Sequence, residues 1–239
     1  MNMQAQRLLD VCEGTWPPAR VWRAGPWTIR DGQGGGKRVS AATAEAPFEN
    51  GDISVAVDAM REIGQRPLFM IREGDEALDA ALDVQGYNLI DSVNIFAAPI
   101  ESLTDKPIPR VTAFTIWEPL AIMAEIWAQG GVGPDRLAVM RRAEVKTAVL
   151  SRWNEKPGGV AYVGVHDGVA MVHAVEVLAQ QRRQGVAEWL MRAAAIWAKE
   201  RGAREISVLC VAENAAANAL YHKLGFAQIG RYHYRQNQE

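Results

Sequence analysis

Residues 175–187 read VEVLAQQRRQGVA, a β-branched stretch followed by an arginine-rich turn with one glycine. A strand that ends near Leu178 and a helix that starts near Gly185 leave the first helical amides without intrahelical partners, and these amides point towards one spot. The helix dipole favours an anion there, and a glycine lets a phosphate oxygen approach the main chain closely. Arg182 and Arg183 add positive charge, and Ala187 keeps a second close-approach position small. The turn therefore predicts a site for the diphosphate of a phosphorylated cofactor.

A second stretch, residues 214–226, reads NAAANALYHKLGF and lies one predicted helix and one predicted strand after the turn. The turn at residues 182–187 resembles the (Gln/Arg)-x-x-Gly-x-(Gly/Ala) signature of the Gcn5-related N-acetyltransferase (GNAT) superfamily. The second stretch resembles that family's Asn-x-x-Ala-x-x-Leu-Tyr-x-x-x-Gly-Phe motif. The positions that match it are Asn214, Ala217, Leu220, Tyr221, Gly225 and Phe226.

This resemblance implies both a cosubstrate and a fold. The cosubstrate is acetyl-CoA, whose pyrophosphate the family binds on the turn. The fold class is α/β, with the GNAT acyl-CoA N-acyltransferase fold, in which a mixed, mostly antiparallel sheet is flanked by helices.

Length and composition agree with this interpretation. The 239 residues exceed one typical domain, and a hydrophobic content of 49% supports a substantial core. The formal net charge of −2, without a basic run, argues against nucleic-acid binding. Cys12 and Cys210 give neither a disulfide framework nor a metal-ligand spacing, so no metal is expected. No apolar stretch approaches the roughly 18 residues of a membrane span and no signal-peptide core is present, so we expect a cytoplasmic protein without membrane contact.

A proline-containing segment, residues 99–109, divides the chain. It reads PIESLTDKPIP, a composition that disfavours helix and interrupts strand pairing, and therefore predicts a linker. Residues 107–239 alternate helix and strand signals in the order of the acetyltransferase fold, so we expect the catalytic domain there. Residues 1–103 are expected to form a separate N-terminal domain.

The N-terminal domain contains a weak repeat of the second motif. Shifted by 139 positions, residues 75–87 (DEALDAALDVQGY) overlay residues 214–226, and each predicted helix ends in a glycine and an aromatic residue before a strand. Asp75 replaces Asn214, Leu82 stands where Tyr221 stands, and no arginine-glycine turn precedes this copy. We interpret residues 1–103 as a degenerate GNAT-like α/β domain. The alternative is a common packing pattern that recurs by chance.

The glycine run at residues 32–37, GQGGGK, is a further feature of the first domain. It lacks the Ser/Thr after the lysine and the spacing of a Walker sequence. Because it lies between strand-like runs at residues 27–30 and 38–43, it predicts a hairpin turn rather than a nucleotide-binding loop.

The resemblance also implies roles for catalytic residues. In the family a neutral amine attacks the thioester carbonyl and the coenzyme thiolate leaves, so the amine must lose a proton and the sulfur must gain one. Tyr221 occupies the motif tyrosine and is expected to protonate the thiolate. An ordinary packing tyrosine is the alternative.

Two residues compete for the role of general base. His173 resembles the catalytic histidine of the arylalkylamine branch of the family, and an imidazole titrates near neutrality. Glu176 lies three residues further along the same strand and should therefore face the opposite side of the sheet. A structural His173, with water as the proton relay, is the third option.

The cofactor contacts also follow from the resemblance. In the family, the strand that holds His173 splays apart from the next strand, and main-chain groups in the gap pair with the amides of pantetheine. Asn214 is expected either to reach the pantetheine arm or to cap its own helix. The expected cofactor-binding residues are Val175, Val177, Ala179, Arg182, Arg183, Gln184, Gly185, Val186, Ala187 and Asn214.

Together the motifs predict an acetyl-CoA-dependent N-acetyltransferase that moves the acetyl group to a primary amine by direct attack. The alternative is a non-catalytic acyl-CoA-binding or scaffold protein, for which the degenerate first domain is a precedent. The intact Tyr221 and the intact turn favour the enzyme. The expected partner is a small-molecule or peptide amine as acceptor, and a homodimer is left as an option.

Overall fold

A computed structural model describes residues 2–45 and 52–237 of the chain. The helices in these residues are α1 (Met3–Thr15), α2 (Asp52–Glu62), α3 (Glu76–Val84), α4 (Glu101–Thr104), α5 (Ala121–Gln129), α6 (Pro134–Arg142), α7 (Val186–Lys199) and α8 (Ala215–Lys223). The strands are β1 (Arg20–Ala24), β2 (Trp27–Asp31), β3 (Thr43–Ala44), β4 (Leu68–Arg72), β5 (Asn88–Pro99), β6 (Ala113–Ile116), β7 (Val145–Trp153), β8 (Lys156–His166), β9 (Val169–Val177), β10 (Glu205–Val211) and β11 (Ala227–Gln236).

One large sheet runs through both halves of the chain. Its eight strands follow the order β4-β11-β5-β10-β9-β8-β7-β6. Neighbouring strands are antiparallel except β9 and β10, which pair in parallel. A smaller antiparallel sheet holds β1, β2 and β3. The expected fold class, a mixed and mostly antiparallel sheet flanked by helices, is confirmed.

The two halves exchange their last strands within this sheet. β5 ends the first half, yet it pairs along its length with β10 of the second half. β11 ends the second half, and it pairs with β4 of the first half. The exchanged strands also pair with each other, so main-chain hydrogen bonds join the halves across three strand contacts.

The first half repeats the order of elements of the second half. The bounds of α3 and α8 differ by 139 positions at both ends, and each helix leads through a glycine of positive φ, Gly86 at 81° or Gly225 at 86°, into the exchanged strand. Before α3 and before α8, each half contains a strand, a helix and a second strand. The two strands are parallel neighbours in both halves: Ala42, just before β3, forms a single parallel bridge with Phe69 of β4, and β9 pairs in parallel with β10.

The structure corrects two local predictions. The segment at residues 99–109 is not an open linker, because it contains α4 and buries the side chain of Leu103 completely. The Leu103 carbonyl accepts a hydrogen bond of 3.3 Å from Arg192 Nη1 on α7. Residues 38–43 do not form a strand, because the chain makes a 3-10 turn at Lys37–Val39 and pairs with β2 only from Thr43.

Helices cover both faces of the large sheet. One face packs against α1, α5 and α6, with Trp127 and Tyr162 fully buried between them. The other face packs against α7, α4 and α8, with Leu190 fully buried. The helices α2 and α3 close a third cluster around Phe69. None of the helices in the described residues has both the length and the apolarity that a bilayer span requires.

Candidate functional site

A cleft opens where the only parallel strand pair described in the large sheet separates. β9 and β10 pair from Val169 and Glu205 up to Val172 and Val208. Beyond those residues β9 stays paired with β8, and β10 stays paired with β5. The strands therefore diverge towards their carboxyl ends. Past Val172, the edge of β9 that faces the gap does not pair with β10. A ligand that binds like an added strand needs such an unpaired edge.

The predicted diphosphate turn follows the carboxyl end of β9. Gly185 has a φ of 81° and immediately precedes α7, and no side chain in the described residues caps this helix. The first amides of α7 are therefore available to an anion. The buried side chain of Val186 packs closely on Gly158 and Gly159 of β8, where an added Cβ would lie 3.2 Å from it. This contact positions the start of α7 against the sheet. Ala187 follows as the second residue of α7.

The side chains of the turn leave positive charge at the surface. Arg182 and Arg183 are both exposed. Arg182 Nε donates to the Val177 carbonyl at 3.1 Å, and Gln184 Nε2 donates to the Gln180 carbonyl at 3.2 Å, which ties the turn to its own backbone. Of the remaining residues expected to bind the cofactor, Val175 and Val177 pack against the core under α7, and Ala179 is exposed at the start of a 3-10 turn.

A β-bulge in β9 changes the relation between the two candidate bases. His173 pairs with Tyr162 and Glu176 pairs with Val160, so one residue of β8 faces two residues of β9. The extra residue lies at the bulge around Ala174, whose φ is 49°. Because a bulge shifts the alternation by one position, His173 and Glu176 point to the same face of the sheet. The prediction that they face opposite sides is therefore wrong.

His173 is a buried, fully hydrogen-bonded residue. Its side chain is stacked near Trp16 and the residue is 3% exposed. Arg38 Nη1 donates to Nδ1 at 3.1 Å, and Nε2 lies 2.9 Å from Thr15 Oγ1, whose own proton goes to the Val11 carbonyl. This pattern requires a neutral imidazole that donates from Nε2. Burial, and then the Arg38 charge, hold the pKa of His173 well below its usual range.

Glu176 has the accessibility that His173 lacks. Its side chain is 26% exposed, and one carboxylate oxygen lies 3.5 Å from Arg182 Nη2 of the turn. The carboxylate also lies against the end of α5, where a Cβ on Gly130 would collide with it. Glu176 therefore combines an open carboxylate with a position at the cleft, and the geometry favours it over His173 as the base.

Tyr221 projects from α8 into the core on the α7 side of the sheet. The residue is 6% exposed and lies between Phe96, at 5.8 Å between ring centroids, and Phe226, at 5.7 Å. Burial, and to a lesser extent Cys210, raise the pKa of the Tyr221 hydroxyl. The phenol is therefore held in its protonated form, which is the form that a proton donor needs.

Asn214 caps its own helix. It immediately precedes α8, and its side-chain oxygen accepts a hydrogen bond of 3.1 Å from the amide of Ala217. This is one of the two roles that the motif predicted, and a contact with pantetheine stays a prediction.

A cavity of about 260 Å³ adjoins the cleft and joins the two halves. The second half contributes Ala174 at the bulge, Val211 at the end of β10, Val132, Arg136, Tyr232 and Tyr234. The first half contributes Trp16, Gly35, Gly36, Lys37, Arg38, Asp91 and Val93. None of these first-half residues was a predicted site residue. The signal that could have found them is the glycine run, because glycines permit the close approach of a loop to another element.

Comparisons with known proteins find a family match that spans the turn and α8. Residues 118–226 match the family described as "Acetyltransferase (GNAT) family". The chain is 26% identical over 240 residues to the "Uncharacterized N-acetyltransferase YobR" of Bacillus subtilis (strain 168), with 96% of this chain and 97% of the relative covered.

Two solved structures share the fold. The "GCN5-related N-acetyltransferase from Kribbella flavida" aligns with a TM-score of 0.77 and 21% identity, over 100% of this chain and 97% of the other. A "Tandem GNAT protein from the clavulanic acid biosynthesis pathway" aligns with a TM-score of 0.62 and 13% identity, over 91% of this chain and 83% of the other. The family match at residues 118–226 and the similarity to YobR over nearly the whole chain both indicate an acetyltransferase of the GNAT family.

Proposed function

We propose that this protein transfers the acetyl group of acetyl-CoA to a primary amine by direct attack. The observation that carries the proposal is the separation of β9 and β10 next to the uncapped start of α7. One feature offers an unpaired strand edge, and the other offers amide donors for an anion, so a long ligand with amides and a diphosphate suits both.

The residues around the turn support this choice of cosubstrate. A Cβ on Gly185 would have no neighbour nearer than 4.0 Å, so the main chain there is open to a ligand. The exposed Arg182 and Arg183 add two positive charges beside the open main chain. Acetyl-CoA would supply a thioester-bound acetyl group, which a nitrogen nucleophile can accept without a covalent enzyme intermediate.

Two side chains have the properties that the transfer requires. The amine nitrogen forms a bond to the acyl carbon while the carbon–sulfur bond breaks. Glu176 accepts the proton that the amine loses, because its carboxylate is accessible at the bulge. Tyr221 donates a proton to the departing thiolate, because burial keeps its phenol protonated.

A glycine substitution at the turn tests the proposal. Acetyl-CoA at a hundred times its dissociation constant should stabilise the protein by about 2.7 kcal/mol and raise its thermal midpoint. Gly185→Glu should abolish that shift and the release of free CoA thiol in the presence of amines, because it places bulk and negative charge at the diphosphate site.

The matched control is Gly202→Glu at the other end of α7. Gly202 also has a positive φ, 84°, and an open surrounding, so both variants share the same backbone strain. Gly202→Glu should keep the shift with acetyl-CoA. If the unmodified protein shows neither a thermal shift with acetyl-CoA or CoA nor thiol release with any amine of a broad panel, the proposal is wrong.

A further inference from the structure

Arg38 is a cation without a counter-charge. It forms no ion pair with any residue in the described ranges, and its Nε is buried without a hydrogen-bond partner. Its Nη1 donates to the neutral His173, which offers no negative charge. An arginine stays protonated at every physiological pH, so this charge persists. A partly buried guanidinium of this kind is stabilised by an anion from outside the chain.

Arg38 lines more than one cavity, and the cavity of about 260 Å³ at the cleft has a positive charge balance. Its described lining side chains include three cations, Lys37, Arg38 and Arg136, and one carboxylate, Asp91. Asp91 is already engaged, because its Oδ2 lies 2.6 Å from Lys37 Nζ. The Tyr234 hydroxyl donates to the Tyr232 hydroxyl at 3.5 Å, and the proton of Tyr232 can then be donated to an anion. The volume of about 260 Å³ lies near the small end of ligand pockets and suits a molecule of amino-acid size.

The position of the cavity connects this charge to the cleft. Ala174 at the bulge of β9 and Val211 at the end of β10 both line it, so it reaches the two strands that separate. Glu176 lies two residues after Ala174, against the same turn between α5 and α6 that supplies Val132 to the wall. A ligand held in the cavity would therefore face the main chain beside the proposed base.

The glycine run explains how the first half reaches this point. A Cβ on Gly35 would collide with Val139 Cγ2 of α6 and lie 2.9 Å from the Gly32 carbonyl oxygen, and Gly34 and Gly36 have φ values of 79° and 97°. Glycine accommodates both the close approach to α6 and the positive φ values. The close contact holds the following Lys37 and Arg38 over the cavity of the second half.

We propose that Arg38 binds a carboxylate of the acceptor, so that the acceptor class is amines that also carry a carboxylate, such as amino acids. This inference rests on the proposed acetyl transfer and specifies its second substrate. A carboxylate matches the planar fork of a guanidinium and fits the small cavity, and the amine of the same molecule is then left to face Glu176. The N-terminal half thus supplies the specificity of the reaction.

The test compares matched acceptors in a thiol-release assay with acetyl-CoA. Each set contains an amino acid, its amide, the decarboxylated amine, and an amine with a phosphate in place of the carboxylate. We expect kcat/KM for the amino acid to exceed that for its amide and its decarboxylated amine by roughly ten- to a hundredfold, the range for a hydrogen-bonded charge. The phosphate compound should react no faster than the amide. A phosphate preference would overturn the carboxylate assignment.

Variants assign the preference to Arg38. Arg38→Gln should lower kcat/KM for the amino acid to the level of its amide and leave the amide almost unchanged. Arg38→Lys retains the charge and should keep part of the preference, which covers the case in which Arg38→Gln does not fold. Arg231→Gln, at an exposed arginine on β11, should leave the preference intact.

Two results separate failure of this inference from failure of the proposed function. Thiol release with neutral amines at the same efficiency as with amino acids, or a carboxylate preference that survives both Arg38 variants, would overturn the inference alone. Binding of the N-acetyl amino acid to the CoA-saturated protein provides a readout without turnover. We expect its dissociation constant to rise by a similar factor in Arg38→Gln and to stay the same in Arg231→Gln.

Discussion

At the scale of the residue, Tyr221 is proposed to protonate the leaving thiolate, and its buried ring also packs in the core. Its ring is held by Phe96 and Phe226, so removal of the hydroxyl alone should leave the ring in place. Tyr221→Phe should lower kcat by roughly tenfold to thousandfold, the range for loss of a positioned proton donor, with an unchanged thermal shift by acetyl-CoA. Tyr87→Phe is the control, because Tyr87 is also 6% exposed but lies in the core of the first half. Equal turnover of both variants would assign Tyr221 to packing.

At the scale of the element, the bulge in β9 places both candidate bases on one face of the sheet, and Glu176 is the more accessible of the two. The neutral, buried His173 has both ring nitrogens engaged, whereas Glu176 is open to the cleft. A base must be deprotonated to act, so kcat/KM should fall as the pH falls below the pKa of the base. The pKa of His173 is held well below its usual range, so His173→Gln should leave the dependence of kcat/KM on pH unchanged.

Glu176→Gln should lower kcat/KM by roughly a hundredfold or more, because the amide that replaces the carboxylate cannot accept the proton of the amine. Glu144→Gln, at an exposed carboxylate before β7, is the control and should match the unmodified protein. The measurement is kcat/KM against pH for all four proteins with one acceptor. A profile that collapses in His173→Gln and persists in Glu176→Gln would return the role of base to His173.

At the scale of the whole molecule, the exchanged strands bring a residue of the N-terminal half against Tyr221, the proposed proton donor. Phe96 lies on β5 of the first half, is fully buried, and contacts Tyr221 and His222 of the second half. Phe96→Ala should lower the free energy of unfolding by about 3–5 kcal/mol and should also lower kcat of the folded protein, because it leaves a void beside Tyr221.

The matched control for Phe96→Ala is Leu82→Ala on α3. Leu82 is fully buried in the separate cluster of the first half, away from Tyr221. Leu82→Ala should lower the free energy of unfolding by a comparable amount, about 2–5 kcal/mol, and leave kcat unchanged. Equal kcat in the two variants, measured at a temperature where both are folded, would show that β5 supports only stability.

The division into domains of residues 1–103 and 107–239 stays a prediction. Main-chain pairing between strands crosses this boundary.

The sequence by itself determined the features that depend on local chemistry. Local patterns of neighbouring residues gave the arginine-glycine turn at residues 182–187, the motif helix with Asn214 and Tyr221, and the offset of 139 positions between α3 and α8. They were readable because helix starts, glycine ends and periodic apolar faces act over a few positions along the chain. The family and the fold class followed from them.

Only the tertiary structure decided the features that depend on contacts between distant residues. The bulge in β9 depends on how β9 pairs with β8. The spacing of His173 and Glu176 in the sequence could therefore not predict that they face the same side of the sheet. The exchange of β5 and β11 depends on which edge each strand meets, and the approach of Arg38 to His173 joins residues 135 positions apart. Long-range packing, and not local propensity, built the cavity that combines the two halves of the protein.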